Sequence, residues 1–200
     1  MRHHVVITGT GRTGTTFLVQ LLTALGLDTG LDRAGDLYEH PRAGLESDIR
    51  HSDAPYVVKN PAFCDYAQQV VEDPEIVLDH VFVPIRDLAG AAQSRRHVVE
   101  TTTGKIPPAL INGGLVGTND MAPGAQEGVL LFKLYRLLLA LSVIGTPVTF
   151  IHYPFLTQDA GYLYDKLAPI LSDVGYYAFT AEFNEAVDPS LVHQFSATDQ

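Results

Sequence analysis

An α/β fold of three layers, α/β/α around a mostly parallel sheet, is what this sequence predicts, and three observations predict it. Val5-Val6-Ile7-Thr8 is a β-branched run that ends in glycines. It opens directly into residues 15–25, where Phe17, Leu18, Leu21, Leu22 and Leu25 recur at helical spacing. The same succession of short apolar run and helical stretch then returns along the chain, with no internal repeat and no low-complexity segment. At 200 residues and 46% hydrophobic composition, residues 1–200 read as one domain with a sizeable core.

Taken in order, the elements follow from the residues. Residues 28–54, rich in Gly, Asp, Arg and His without periodicity, read as a surface excursion able to carry binding groups. Tyr56-Val57-Val58 is a short second strand, and residues 61–71 are helix-like. Residues 80–85 form a third strand, after which Asp87 can cap the next helix. Residues 101–124, with glycine pairs and prolines, form a loop placed to act as a lid. A strongly apolar helix spans about 126–144, with Tyr135 read as core, and residues 147–152 are a buried-type strand. Thr157, Asp159, Leu163, Leu167 and Ile170 mark the last amphipathic helix, and the tail after residue 183 is expected to be loosely held.

Composition removes several classes. A formal net charge of -10 argues against a nucleic-acid partner, because such affinity comes largely from Lys and Arg meeting phosphates. The longest apolar stretch, 129–144, is interrupted by Lys133 and Arg136 and falls short of the roughly 20 residues needed to cross a bilayer, so no membrane partner is expected. The start, Met1-Arg2-His3-His4 before Val5, lacks a signal-peptide pattern, which makes the cytoplasm the expected location. Cys64 is the only cysteine, so neither an internal disulfide nor a thiolate metal cluster is expected. A homo-oligomer is compatible with all of this.

Gly9-Thr10-Gly11-Arg12-Thr13-Gly14-Thr15-Thr16 carries the chemistry. Glycines let backbone N–H groups turn toward one point, and the positive end of the following helix adds to that field, so the segment can cradle a phosphate in a P-loop NTPase-like fold. Gly9, Gly11 and Gly14 also scan as a dinucleotide fingerprint, although Asp28, Asp32 and Asp36 do not close a clear second strand that would bring an acid to a ribose. An ATP- or GTP-hydrolysing loop carries Lys before its final Ser or Thr, where the charge reaches the outer phosphates. Here that position is Thr15, and the cation is Arg12, inside the loop.

The run from Arg12 to Leu18 resembles the 5′-phosphosulfate loop of sulfotransferases that use 3′-phosphoadenosine 5′-phosphosulfate (PAPS). Val83-Pro84-Ile85-Arg86-Asp87 through Ser94 is similar to that family's 3′-phosphate element, a strand ending in Arg with a Ser eight residues on. Such an Arg at a strand end and a Ser two turns into a helix can converge on one phosphate. Val57-Val58-Lys59-Asn60-Pro61 resembles the Lys-x-Pro strand end at the mouth of the family's site, and residues 150–156 resemble its later Tyr-containing strand end, matching at Tyr153 and Leu156. Pro61 stands where the cytosolic branch has its catalytic His, and no glycine- and basic-rich closing loop follows Leu171.

The resemblance implies a P-loop sulfotransferase that moves a sulfuryl group to a hydroxyl or amine of a small acceptor, without a metal. Gly11, Arg12, Thr13, Gly14, Thr15 and Thr16 would bind the 5′-phosphosulfate, Arg86 and Ser94 the 3′-phosphate, while Arg12 and Lys59 would supply charge to the leaving oxygen. Glu39, His40, Glu46, His51 and Asp53 are candidate bases, with Glu39 favoured because other branches place a Glu in that stretch. The plainer readings are that Arg12 and Lys59 are solvated surface cations, that Arg86 pairs Asp87 or Asp65, and that Ser94 and His97 face solvent. Two alternative functions remain: a nucleotide or metabolite kinase using ATP and Mg²⁺, and a binder that keeps the adenine-nucleotide loop without the chemistry.

Overall fold

The computed structural model describes residues 1–31, 45–101 and 114–189. Among them, four strands form one all-parallel sheet in the order β2-β1-β3-β4: β1 Arg2–Ile7, β2 Val57–Lys59, β3 Ile76–Ile85 and β4 Val148–His152. β1 and β3 are the two inner strands, and Ile7 of β1 lies opposite Lys59 on one side and Phe82 on the other. Its register slips between His4 and Val5.

Strand alternation sorts the side chains onto two faces. Val5, Ile7, Val57, Phe82 and Ile151 bury against Leu18, Leu21 and Leu22 of α1 (Thr15–Ala24), with Leu163 and Leu167 of α6 (Ala160–Leu167) and Phe179 and Phe183 of α7 (Tyr176–Ala186). Val6, Val58, Val81 and Val83 bury against the other layer. That layer comprises a 3₁₀ turn at Pro61–Asp65, α2 (Ala67–Val71) and the inner face of α4 (Ala125–Leu141). The architecture is therefore a three-layer α/β/α arrangement.

Caps explain where several helices begin. The Asp87 carboxylate accepts from the N–H of Gly90 at 2.8 Å, starting α3 (Leu88–Thr101). Asp159 accepts from the N–H of Tyr162 at 2.8 Å and starts α6 after the short α5 (Phe155–Gln158). Asn60 accepts from the N–H of Ala62 at 2.9 Å beneath Pro61, turning the chain sharply away from β2.

The layers fix where a ligand can sit. α1 leaves β1 onto one face, whereas the chain leaving β3 returns through α4 on the other. The loops after these two adjacent strands therefore diverge and open a crevice beyond their carboxyl ends, the switch point at which open α/β sheets bind ligands.

Three expectations need correction. Tyr135 is 64% exposed rather than core, because α4 turns Leu130, Leu137, Ala140 and Leu141 inward and the adjoining stripe outward. Residues 160–167 are not the last helix. α7 follows, held by Phe179 and Phe183 at i, i+4 spacing, with Phe183 edge-on to Phe17 at 5.8 Å. The tail is thus docked as far as Val187, whose N–H donates to Phe183 O. Half of the expected lid, residues 102–113, lies outside the described residues, as do residues 190–200. Among the described residues no helix is long and apolar enough to cross a membrane.

Candidate functional site

The loop between β1 and α1 is built on left-handed backbone. Gly9, Gly11, Arg12 and Gly14 have φ of 137°, 70°, 59° and 86°. Three of these are glycines, for which such angles cost nothing; Arg12 bears the strain itself. Close packing adds a second demand. A Cβ on Gly11 would stand 2.5 Å from Nη2 of Arg95, and one on Gly14 would stand 2.7 Å from Cδ1 of Leu156.

The first turn of α1 is left open. Gly14 is its N-cap and supplies no side-chain bond. Among the described residues, no carbonyl accepts from the N–H of Gly11, Thr13, Gly14, Thr15 or Thr16. Thr13 Oγ1 is buried and without a hydrogen-bond partner among them. Unfilled donors at a helix N-terminus, where the macrodipole is positive, are what an oxyanion satisfies.

Around this loop, which itself contributes Arg12, the structure gathers cations from the ends of β2 and β3. Lys59, from the end of β2, is 2% exposed, and its ammonium donates to Oε1 of Glu46 at 2.9 Å. Burial pushes the Lys59 pKa down, the Glu46 carboxylate partly restores it, and the charge of Arg12 lowers it further. Arg12 Nε donates to Oγ of Ser94 at 3.0 Å. Arg86, at the end of β3, donates through Nη1 to the carbonyl of Arg12 at 3.2 Å and lies over the Tyr153 ring at 4.5 Å. Burial lowers its pKa, with Tyr153 and Asp87 opposing.

Ser94 is buried, which removes the solvent-facing reading, and Asp65 is bound by Lys133 at 2.6 Å. His97 is exposed. His51 and Asp53 are exposed as well and do not line the cleft described below, whereas Glu39 and His40 lie outside the described residues.

Arg95 was not singled out by sequence. It is 2% exposed, and its guanidinium bonds to the carbonyls of Thr10 and Gly114, the latter at 2.7 Å. Nε has no partner among the described residues, and burial with the nearby Arg12 charge brings the pKa down to about 10, so the group stays charged at neutral pH. The one signal for it was its place in Gly90-Ala91-Ala92-Gln93-Ser94-Arg95, where small residues bring α3 close to its neighbours.

Beside the loop opens a cleft of about 450 Å³ lined by Gly9, Thr10, Glu46, Asn60, Arg95 and Lys133, among others. It is large enough for a small ligand, and both acidic and basic groups line it. No set of three or more His, Cys, Asp or Glu able to hold a metal ion occurs among the described residues. The arrangement can hold an anion at the helix N-terminus, surround it with buried cations, and present a carboxylate to a second molecule in the cleft. Comparison of the chain with protein-family models, with curated proteins and with solved structures finds no match.

Proposed function

We propose that the chain is a P-loop sulfotransferase that uses PAPS to sulfate a hydroxyl or amine of a small acceptor. The observation carrying this reading is the open first turn of α1 with Arg12, Arg86 and Ser94 in one bonded chain beside it, Arg86 to Arg12 at 3.2 Å and Arg12 to Ser94 at 3.0 Å. These are the residues that the family resemblance assigns to the two phosphate ends of the co-substrate. The unfilled N–H groups and the orphaned Thr13 hydroxyl fit its anionic end.

When bound, PAPS supplies a sulfuryl group whose bond to the bridging oxygen breaks as the acceptor attacks sulfur, releasing 3′-phosphoadenosine 5′-phosphate. The N–H groups of residues 13–16 hold the 5′ side, and the Thr15 and Thr16 hydroxyls assist. Arg86 and Ser94 hold the 3′-phosphate, where a guanidinium fork and a hydroxyl are suited to a divalent anion. Arg12 and Lys59 offset the negative charge that grows on the leaving oxygen. Glu46, which lines the cleft and accepts from the Lys59 ammonium, takes the acceptor's proton in place of the family's His, whose position is Pro61.

Incubating the protein with PAPS and a panel of alcohols, phenols and amines tests the reading, with mass spectrometry for a sulfated product and for 3′-phosphoadenosine 5′-phosphate in equal amounts. Turnover without metal is expected. ATP turnover that requires Mg²⁺ and is abolished by Arg12→Ala, with no sulfated product, would establish the kinase reading instead.

A further inference from the structure

The outward face of α4 is apolar to a degree that a solvent-facing helix surface is not. Leu131, Phe132, Tyr135 and Leu139 are 56%, 61%, 64% and 58% exposed, and Val143 continues the stripe at 68%. The opposite face of the same helix is fully committed to the core through Leu130, Leu137, Ala140 and Leu141. A helix with apolar stripes on two opposite faces is one that is covered on both.

We infer that a second copy of this chain covers it, α4 packing against α4 about a two-fold axis. Three observations favour a copy over another occupant. The first is area. With a fully buried aromatic worth roughly 150–250 Å² and aliphatics less, these side chains together with Leu138 and Ile144 present on the order of 600–700 Å². That exceeds the roughly 300–600 Å² of an ordinary monomer's largest patch and approaches the roughly 800 Å² per partner of a stable interface.

The second is charge. The chain carries a formal net charge of -10, so two copies repel over most of their surfaces. The exposed stripe itself has no acidic residue: Glu127, the single acid of α4, stands one turn before Leu131 at its edge, where it is largely buried and bound by Arg96 at 2.8 Å. Lys133 is likewise drawn away to Asp65 at 2.6 Å, leaving Arg136 at the margin beside Phe132. Third, the stripe is self-complementary in shape. Leucines and aromatics at i, i+4 and i+8 form ridges that fit the grooves of an identical helix, and an isologous contact requires such a patch.

Sedimentation velocity and light scattering on the full chain at micromolar concentration test this, with wild type beside Tyr135→Glu and Leu139→Glu. The wild type is expected to be a dimer, and each substitution to weaken association roughly tenfold or more while the circular dichroism spectrum is unchanged. Should a Glu variant misfold, Tyr135→Cys decides. Near the centre of the stripe it is expected to form a covalent dimer on mild oxidation, since Cys64 is buried, whereas Asp173→Cys on the opposite layer is not. A wild-type monomer throughout overturns the proposal and leaves the face to a different macromolecule or to another segment of this chain. A dimer indifferent to Tyr135→Glu and Leu139→Glu, without the Tyr135→Cys crosslink, overturns it as well.

Discussion

Arg95 holds two carbonyls from inside the protein and faces no carboxylate among the described residues, which is an expensive way to keep a charge. Its removal in Arg95→Ala strands the carbonyls of Thr10 and Gly114 and opens the loop, at an expected stability loss of about 2–3 kcal/mol in urea denaturation. On the proposed reading Arg86 acts on the ligand as well as on the loop, where it holds the Arg12 carbonyl. Arg86→Ala is expected to weaken 3′-phosphorylated nucleotides by roughly tenfold to a hundredfold, the worth of a charge-assisted pair, and AMP by much less, through the lost bond to the Arg12 carbonyl. At this scale the structure joins Arg12, Arg86 and Ser94 by hydrogen bonds, and these with Lys59 were legible as candidates in the sequence through the motifs that resemble the sulfotransferase pattern. The pairing of Lys59 with Glu46 and the burial of Arg95 were not, because both depend on how residues 45–49 and α3 fold back over the loop.

The β1–α1 connection is the element on which the site depends. Gly11→Ala is expected to cost about 1–2 kcal/mol for its left-handed backbone, with a further loss from displacing Arg95, read as a lower urea midpoint. Nucleotide affinity should fall in the same variant more than in Gly26→Ala, where the φ of 85° is similar but nothing lies within 4 Å of the new methyl group. Strands and most helices were legible because β-branched runs and the caps at Asp87 and Asp159 are local signals. α7 was missed since its sequence, Tyr176 to Ala186, is mostly aromatic and polar and declares itself only through the Phe179–Phe183 pair that meets α1. Tyr135 was misread for the converse reason. Hydrophobicity identifies a helix that must be covered, and does not say whether its own chain covers it.

Across the whole molecule, parallel strands order three cations and the open helix end along one edge of the sheet, while two histidines lie in the sheet away from that edge. His4 bonds through Nδ1 to the Pro55 carbonyl at 2.7 Å, and His80 stacks on Phe82 with Nε2 2.7 Å from the Thr149 hydroxyl. Burial lowers both pKa values below the ordinary 6.5, so the unfolded chain binds protons more readily. Their contribution to stability is therefore fully present above pH 6.5 and is lost as pH falls from there toward the lowered values, and His80→Gln should flatten that part of a Tm-against-pH curve. The three-layer arrangement was legible from the repeated order of strand and helix, but the position of β1 between β2 and β3, which creates the crevice, was not. The most direct test of what that crevice binds is calorimetric titration with 3′-phosphoadenosine 5′-phosphate beside AMP, ADP and ATP, with and without Mg²⁺, repeated on Arg86→Ala. Sulfuryl transfer predicts that the 3′-phosphorylated nucleotide binds best without metal and that Arg86→Ala removes the preference. Tightest binding by ATP with Mg²⁺, unchanged in Arg86→Ala, would contradict it.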